Sequence, residues 1–311
     1  MSLEKVIFFL LIVFSVFPCL SQDQWLKSQN DSLSEIWNNQ NLSKKDRAQS
    51  LCFLLESVEE IEDLEGLMRS SNLLIDFSKE HSLKNELACG YKSKASVFEF
   101  ENESDSAIVY LKKALEIKQG SDDIHETAKL LLKLGENYSA LFLFDESLKN
   151  YERAIEYLNN TKNKKGLGMA YNNMANIHVR RGNVKAAIKN LTKALKIYEQ
   201  LEDYLRIQKV LSNIGNIYFD QQDYSTALSY YKKSFDLNQE NGFEKQQISP
   251  LINLGNVYHM MDKIDSAETS YLSAIDILKK YPNKYDESLL YNNLGNLYFE
   301  VGTNNKGSHE E

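Results

Sequence analysis

A small residue stands at every fortieth position through most of this chain: Ala95, Gly135, Ala175, Gly215, Gly255 and Gly295. Other slots keep the same step. Three residues after each small residue come Phe98, Tyr138, His178, Tyr218, Tyr258 and Tyr298; twelve after it come Ala107, Ser147, Ala187, Ala227 and Ala267. Sixteen after it come Leu111, Tyr151, Leu191, Tyr231 and Tyr271, and nineteen after it Ala114, Ala154, Ala194, Ser234 and Ala274. A recurrence of this kind means stacked supersecondary units, each too small to bury its apolar face alone. Within each half of a copy the apolar spacing is i, i+3, i+4, i+7. Turn signals such as "RRGN" and "DQQD" divide the halves, so each copy reads as a pair of helices.

A helix-interior glycine costs about 1 kcal/mol relative to alanine, so packing must offset it. A residue without a side chain lets two helices cross closely, and the aromatic three residues on is expected to fill the next gap. Pro250 after Ser249 reads as a helix start, although the neighbouring copies place the start earlier; a kink and a late start are both open.

The pattern resembles the tetratricopeptide repeat family over residues 86–301, as five full copies and a terminal half copy, "SLLYNNLGNLYFEV". The step exceeds the family's usual spacing of about 34, implying longer helices or longer linkers. The resemblance implies an all-α fold, a right-handed superhelical α-solenoid of antiparallel helix hairpins. Residues 22–85 form a helical segment with a degenerate copy in which Leu55, Leu67 and Leu74 fill slots that are small elsewhere, and residues 302–311 form a polar tail. The half copy leaves Leu294, Leu297 and Tyr298 uncovered unless a partner, or further chain, covers them.

In this family the first helix of each hairpin lines a concave surface that holds an extended peptide. Two residues before the small residue stand Asn173, Asn213, Asn253 and Asn293; one after it stand Asn176, Asn216, Asn256 and Asn296. An amide offers a donor and an acceptor, so a row of them can pair with a peptide backbone whatever its side chains. Phe219, His259 and Arg180 complete the candidate groove, with Phe299 beside them. The competing reading is that the asparagines bond to one another and order the stack. Groove binding is favoured because buried polar ladders are costly unless satisfied. Ser93 and Ser96, or Lys133 and Glu136, hold these slots in the earlier copies, which places a peptide site on the last four. The lysine pattern of carboxylate-clamp domains is absent from these slots, which argues against recognition of chaperone C-termini.

A net charge of −8 disfavours nonspecific nucleic-acid binding. Charge is uneven all the same: residues 161–200 hold nine Lys or Arg against Glu199 alone. Lys185, Lys189, Lys193 and Lys196 recur along one helix as a solvated face or a dock for an acidic partner. The histidines His81, His125, His178, His259 and His309 are scattered, and no phosphate loop, paired-cysteine metal spacing or HExxH occurs. The sequence therefore implies a non-enzymatic scaffold with no cofactor, binding a protein or peptide segment. The alternative is the extracytoplasmic sensor region of a signalling protein whose membrane helix and effector domain are missing.

At the N-terminus Lys5 precedes the apolar run "VIFFLLIVFSVF", followed by Cys19 and Ser21. This is the order of a secretory leader over residues 1–21, too short for the roughly 20 apolar residues of a membrane span. The chain is expected in the periplasm or outside the cell; an uncleaved anchor or lipidation of Cys19 are the alternatives. Cleavage leaves Cys52 and Cys89, which read as two buried thiols.

Overall fold

The computed structural model describes residues 39, 41–57, 64–119, 123–159 and 161–307. The leader reading at 1–21 falls outside them, as do the last four residues of the expected polar tail. Among the described residues there are thirteen α-helices, one 3-10 helix and no strand, and no helix is long and apolar enough to cross a membrane. In chain order they are α1 (Lys44–Ser57), α2 (Leu64–Glu80), α3 (Lys84–Phe100), α4 (Ser104–Gln119), α5 (Ile124–Ala140), α6 (Phe144–Asn159), α7 (Lys164–Arg180), α8 (Val184–Gln200), α9 (Tyr204–Asp220), α10 (Tyr224–Glu240), a 3-10 turn (Lys245–Gln247), α11 (Ile248–Met260), α12 (Ile264–Lys280) and α13 (Lys284–Gly307). The helices form two compact units, residues 1–157 and 158–311, each a stack of antiparallel helix pairs.

The step of 40 is two modules of 20. Each of α7 to α10 is 17 residues long and is followed by a short connector. The helices are therefore longer than in the common repeat, while the linkers stay short. Each module is punctuated at both ends by local hydrogen bonds. Asp123, Asn163, Asn183, Asp203 and Asp223 accept the backbone N–H three residues on, satisfying a donor the first turn leaves free. At the far end, the N–H of Asn183 donates to the carbonyl of His178 at 2.8 Å, and that of Asp223 to Tyr218 at 2.9 Å. The residue before each of these adopts a left-handed backbone, Gly182 at φ 70° and Gln222 at φ 62°. The same left-handed residue recurs at Ser82, Asn102, Phe142, Glu202, Gly242 and Asp262, again in steps of 20 or 40.

Pro250 resolves as a late start. The 3-10 turn Lys245–Gln247 occupies the place where neighbouring copies are already α-helical, and α11 begins at Ile248. Pro250 then sits in the first turn, where a missing N–H leaves no hydrogen bond unmade.

Packing inside the hairpins shows what the missing side chain admits. The residue over Gly135, Gly215 and Gly255 is the one sixteen positions on. A Cβ on Gly135 or Gly215 would lie 2.5 Å from the ring of Tyr151 or Tyr231, and Gly255 is held as tightly by Tyr271. Where the slot is alanine, at Ala95 and Ala175, the residue sixteen on is the smaller Leu111 or Leu191, likewise buried. Glycine thus goes with tyrosine and alanine with leucine. The aromatics three residues on stack instead on the second helix, Phe98 on Tyr110 with centroids 5.5 Å apart and Tyr218 on Tyr230 at 5.8 Å.

The two cysteines also differ from expectation. Cys52 on α1 and Cys89 on α3 form a disulfide, with Cα atoms 6.0 Å apart. Their 37-residue separation is one helical turn short of the repeat step. That offset brings first helices of successive copies into register: Asn256 and Asn293 meet across the same interval. The bond ties the degenerate first copy, whose Leu55, Leu67 and Leu74 are buried with Ala48, Leu51 and Val97, to the next one. α13 also runs on to Gly307, into the segment expected to be a tail.

Two predictions follow from this packing. Gly215→Ala should lower unfolding free energy by about 1 to 3 kcal/mol despite better helix propensity, and adding Tyr231→Leu should restore more than half of that loss. Equal losses in the single and double variants, measured by urea denaturation, would contradict the pairing. Reducing the Cys52–Cys89 bond should cost about 2 to 4 kcal/mol on the same assay.

Candidate functional site

The candidate amides sit on the first helices of the second unit, α7, α9, α11 and α13, at the places where the repeat register puts them. The outermost of the row is the slot after the small residue. Asn176, Asn216 and Asn296 are exposed and Asn256 is partly buried. Burial of the ring over Gly215 and Gly255 brings each tyrosine hydroxyl up beside the following asparagine. Tyr231 donates to Asn216 Oδ1 at 2.8 Å, and Tyr271 to Asn256 Oδ1 at 2.7 Å. Asn176 follows Ala175, whose partner is Leu191, so its copy supplies no such hydroxyl.

The inner row is more enclosed. Asn173, Asn213, Asn253 and Asn293 are partly buried. Asn293 donates to Asn256 Oδ1 at 2.9 Å; Asn213 donates to Asn172 Oδ1 and Asn172 to Asn173 Oδ1, both at 3.4 Å. The asparagines therefore link successive copies as well as face outward. Asn172 was not among the sequence candidates, although its place beside Asn173 in "YNNMAN" marks it.

Five of the candidates come together. Phe219, Asn256, His259, Asn293 and Asn296 line a cavity of about 290 Å³ with Met260, Tyr271, Phe299 and Glu300. His259 Nε2 lies 2.8 Å from a Glu300 carboxylate oxygen, and Phe219 packs edge-on against Tyr224. Asn173, Asn176, Arg180, Asn213, Asn216 and Asn253 lie outside this cavity.

The first unit uses charge where the second uses amides. Lys92 on α3 bonds to Glu56 on α1 and Glu126 on α5, and Lys133 on α5 pairs with Glu99 on α3, which also accepts from Asn137 at 2.7 Å. Burial works against the charge of Lys92, but Glu126 and Glu56 overcome it and hold its pKa above the ordinary lysine value. Lys92, Lys129 and Lys133 line a second cavity, of about 600 Å³, with Glu56, Glu99, Ser93, Ser96, Leu55, Leu67 and Phe100. The sequence pointed to Ser93, Ser96 and Lys133 only as slots without asparagine. Their spacing on one face was the available signal.

Capped helix pairs that repeat at a fixed step, packed by a small residue on one helix and a ring or leucine on the next, define a helical-repeat protein. The tetratricopeptide repeat model matches residues 126–200, 166–240 and 206–280, three windows offset by the step of 40. The chain belongs to the tetratricopeptide repeat family. No curated protein sequence matches it. Among solved structures it is similar to aspartyl phosphate phosphatase F from Bacillus subtilis, with a TM-score of 0.67 and 17% identity over 93% of this chain and 86% of that one. BtubC (BKLC) from P. vanneervenii matches with a TM-score of 0.63 and 19% identity over 72% of this chain and 95% of its own. A Rap protein complexed with Competence and Sporulation Factor gives 0.56 and 18%, covering 88% and 87%. At these identities the likeness is one of fold.

The tyrosines that hold the amides carry a pH signature. Burial pushes the Tyr271 phenol up to about 12, and burial together with Asp220 raises Tyr231 further. A phenol whose folded pKa lies above its unfolded value of about 10 gives stability that is complete below pH 10 and lost as pH rises toward the folded pKa. Unfolding free energy should therefore fall from pH 10 to 12. Tyr271→Phe should make that slope shallower by up to one proton, and an unchanged slope in urea titrations at several pH values would contradict it.

Proposed function

We propose that the protein is a non-enzymatic scaffold that binds an extended protein or peptide segment along the first-helix face of residues 158–307. The observation that carries this reading is the tyrosine–asparagine pairing. With Oδ1 of Asn216 and Asn256 engaged by Tyr231 and Tyr271, what these amides offer beyond the pair is N–H. Peptide carbonyls are the complementary acceptors, and they recur whatever the side chains are. In this reading Asn173, Asn176, Asn213, Asn253 and Asn296 extend the row, Arg180 flanks it, and Phe219, His259 and Phe299 receive a side chain in the cavity they share with Asn293. Three supports stand behind it: the generally non-catalytic, protein-binding character of the family, the Rap structure solved with its factor bound, and the exposure of the outer amides.

The chain is further proposed to act outside the cytoplasm. The leader-like residues 1–21 support this, as does the Cys52–Cys89 bond, since such bonds persist in oxidising compartments.

The groove is tested with peptides selected from a displayed random library against the native protein. Replacing Asn213, Asn216, Asn253 and Asn256 together by alanine should weaken their binding at least tenfold, about 1.4 kcal/mol. Unchanged affinity in a variant with an unchanged circular dichroism spectrum would reject the face as the binding site.

A further inference from the structure

Glu86 on α3 and Glu126 on α5 hold the same slot of the repeat, 40 residues apart. Glu126 is served by two lysines: Lys92 bonds to it from α3, and Lys129 lies 3.6 Å from it on its own helix. One step earlier, the slots of Lys92 and Lys129 are Cys52 and Cys89, the two residues of the disulfide. The disulfide has thus taken the places of both cations. Glu86 is left 5% exposed, with no hydrogen bond or ion pair from its side chain among the described residues. Enclosing a carboxylate without a partner is costly. Its place in the first turn of α3 favours the negative charge but supplies no counterion.

Glu86 lines a cavity of about 290 Å³ together with Glu56, Asp123, Glu126 and Phe53. The other three carboxylates are matched, Glu56 and Glu126 by Lys92 and Asp123 by Lys118 at 3.0 Å. Glu86 is therefore the one of the four with no cation beside it. A hard divalent metal fits this arrangement poorly, because it takes several oxygen ligands and three of the carboxylates are already held by lysines. A singly charged group that donates hydrogen bonds fits well. It would make a charge-assisted bond to Glu86, and Phe53, 49% exposed at the same cavity, offers a ring to a cation. We propose that this cavity of the first unit binds an organic cation, an ammonium or guanidinium group seated on Glu86 as Lys92 is seated on Glu126. Its carrier is a small free amine or the lysine or arginine side chain of a partner polypeptide. The site shares no residue with the peptide-binding face described above and does not depend on that reading.

The probes are n-butylammonium and n-butylguanidinium chloride, titrated into the full, oxidised chain and followed by ligand-observed NMR. Saturable binding is expected, with a Kd of about 10 mM or tighter. The uncharged n-butanol should not saturate. Glu86→Gln should weaken cation binding at least tenfold and Phe53→Ala severalfold, with circular dichroism verifying that both variants are folded. Replacing Asn213, Asn216, Asn253 and Asn256 together by alanine should leave it unchanged. Nα-acetyl-lysine N-methylamide separates the two carriers, and either result supports the site. Binding at least tenfold tighter than n-butylammonium assigns it to a polypeptide side chain, and exclusion of the amide while n-butylammonium binds assigns it to a free amine. No saturation by either butyl cation up to about 100 mM would overturn the proposal. Equal binding by the Glu86→Gln protein, or equal binding of n-butanol, would overturn it as well.

Discussion

The near-contact between a side-chain-free stretch of backbone and a ring sixteen residues later governs the hairpins of this protein. Gly135, Gly215 and Gly255 leave room for one feature only, the flat face of Tyr151, Tyr231 or Tyr271. Interiors packed to crystal density do not yield to an added methyl group cheaply, so the two positions vary together. The choice at one slot fixes the size class at the other, as Ala95 with Leu111 and Ala175 with Leu191 demonstrate. It also reaches the surface: only a tyrosine carries a hydroxyl far enough to meet Asn216 or Asn256. The outer amides are oriented by core packing, and a leucine copy leaves its asparagine without that constraint.

A second regularity makes this packing repeatable. Modules of 20 residues, each a long helix opened by an acidic or amide cap and followed by a left-handed turn, keep α7 to α10 at one length. Equal lengths hold the slots in register from copy to copy. Register then decides which side chains of successive first helices meet, and residues some 37 apart are among them. Asn256 with Asn293 and Cys52 with Cys89 are instances of one geometry serving different chemistry.

Within that common geometry the two units link their copies differently. Lys92 and Lys133 join neighbouring helices through carboxylates in the first, while amides do so in the second. The enclosed Lys92–Glu126 pair fixes its partner by sign and is costly to separate. Amides both donate and accept and remain able to exchange a neighbour for a ligand.

The sequence by itself determined the helical pairs, their step, the positions of the small residues and the row of asparagines, because periodicity and spacing are local properties of the chain. Even the capping residues Asp123, Asn163, Asn183, Asp203 and Asp223 were legible in principle, being spaced by twenty or forty. What sequence could not give was which neighbour each slot touches. The ring over Gly135, Gly215 and Gly255 came from sixteen residues on, across the hairpin. The cysteines paired across copies instead of lying as separate thiols. Five of the eleven candidate residues gathered around one cavity while the others lay outside it. Those outcomes depend on helix crossing and on the offset between stacked helices, which only tertiary packing sets.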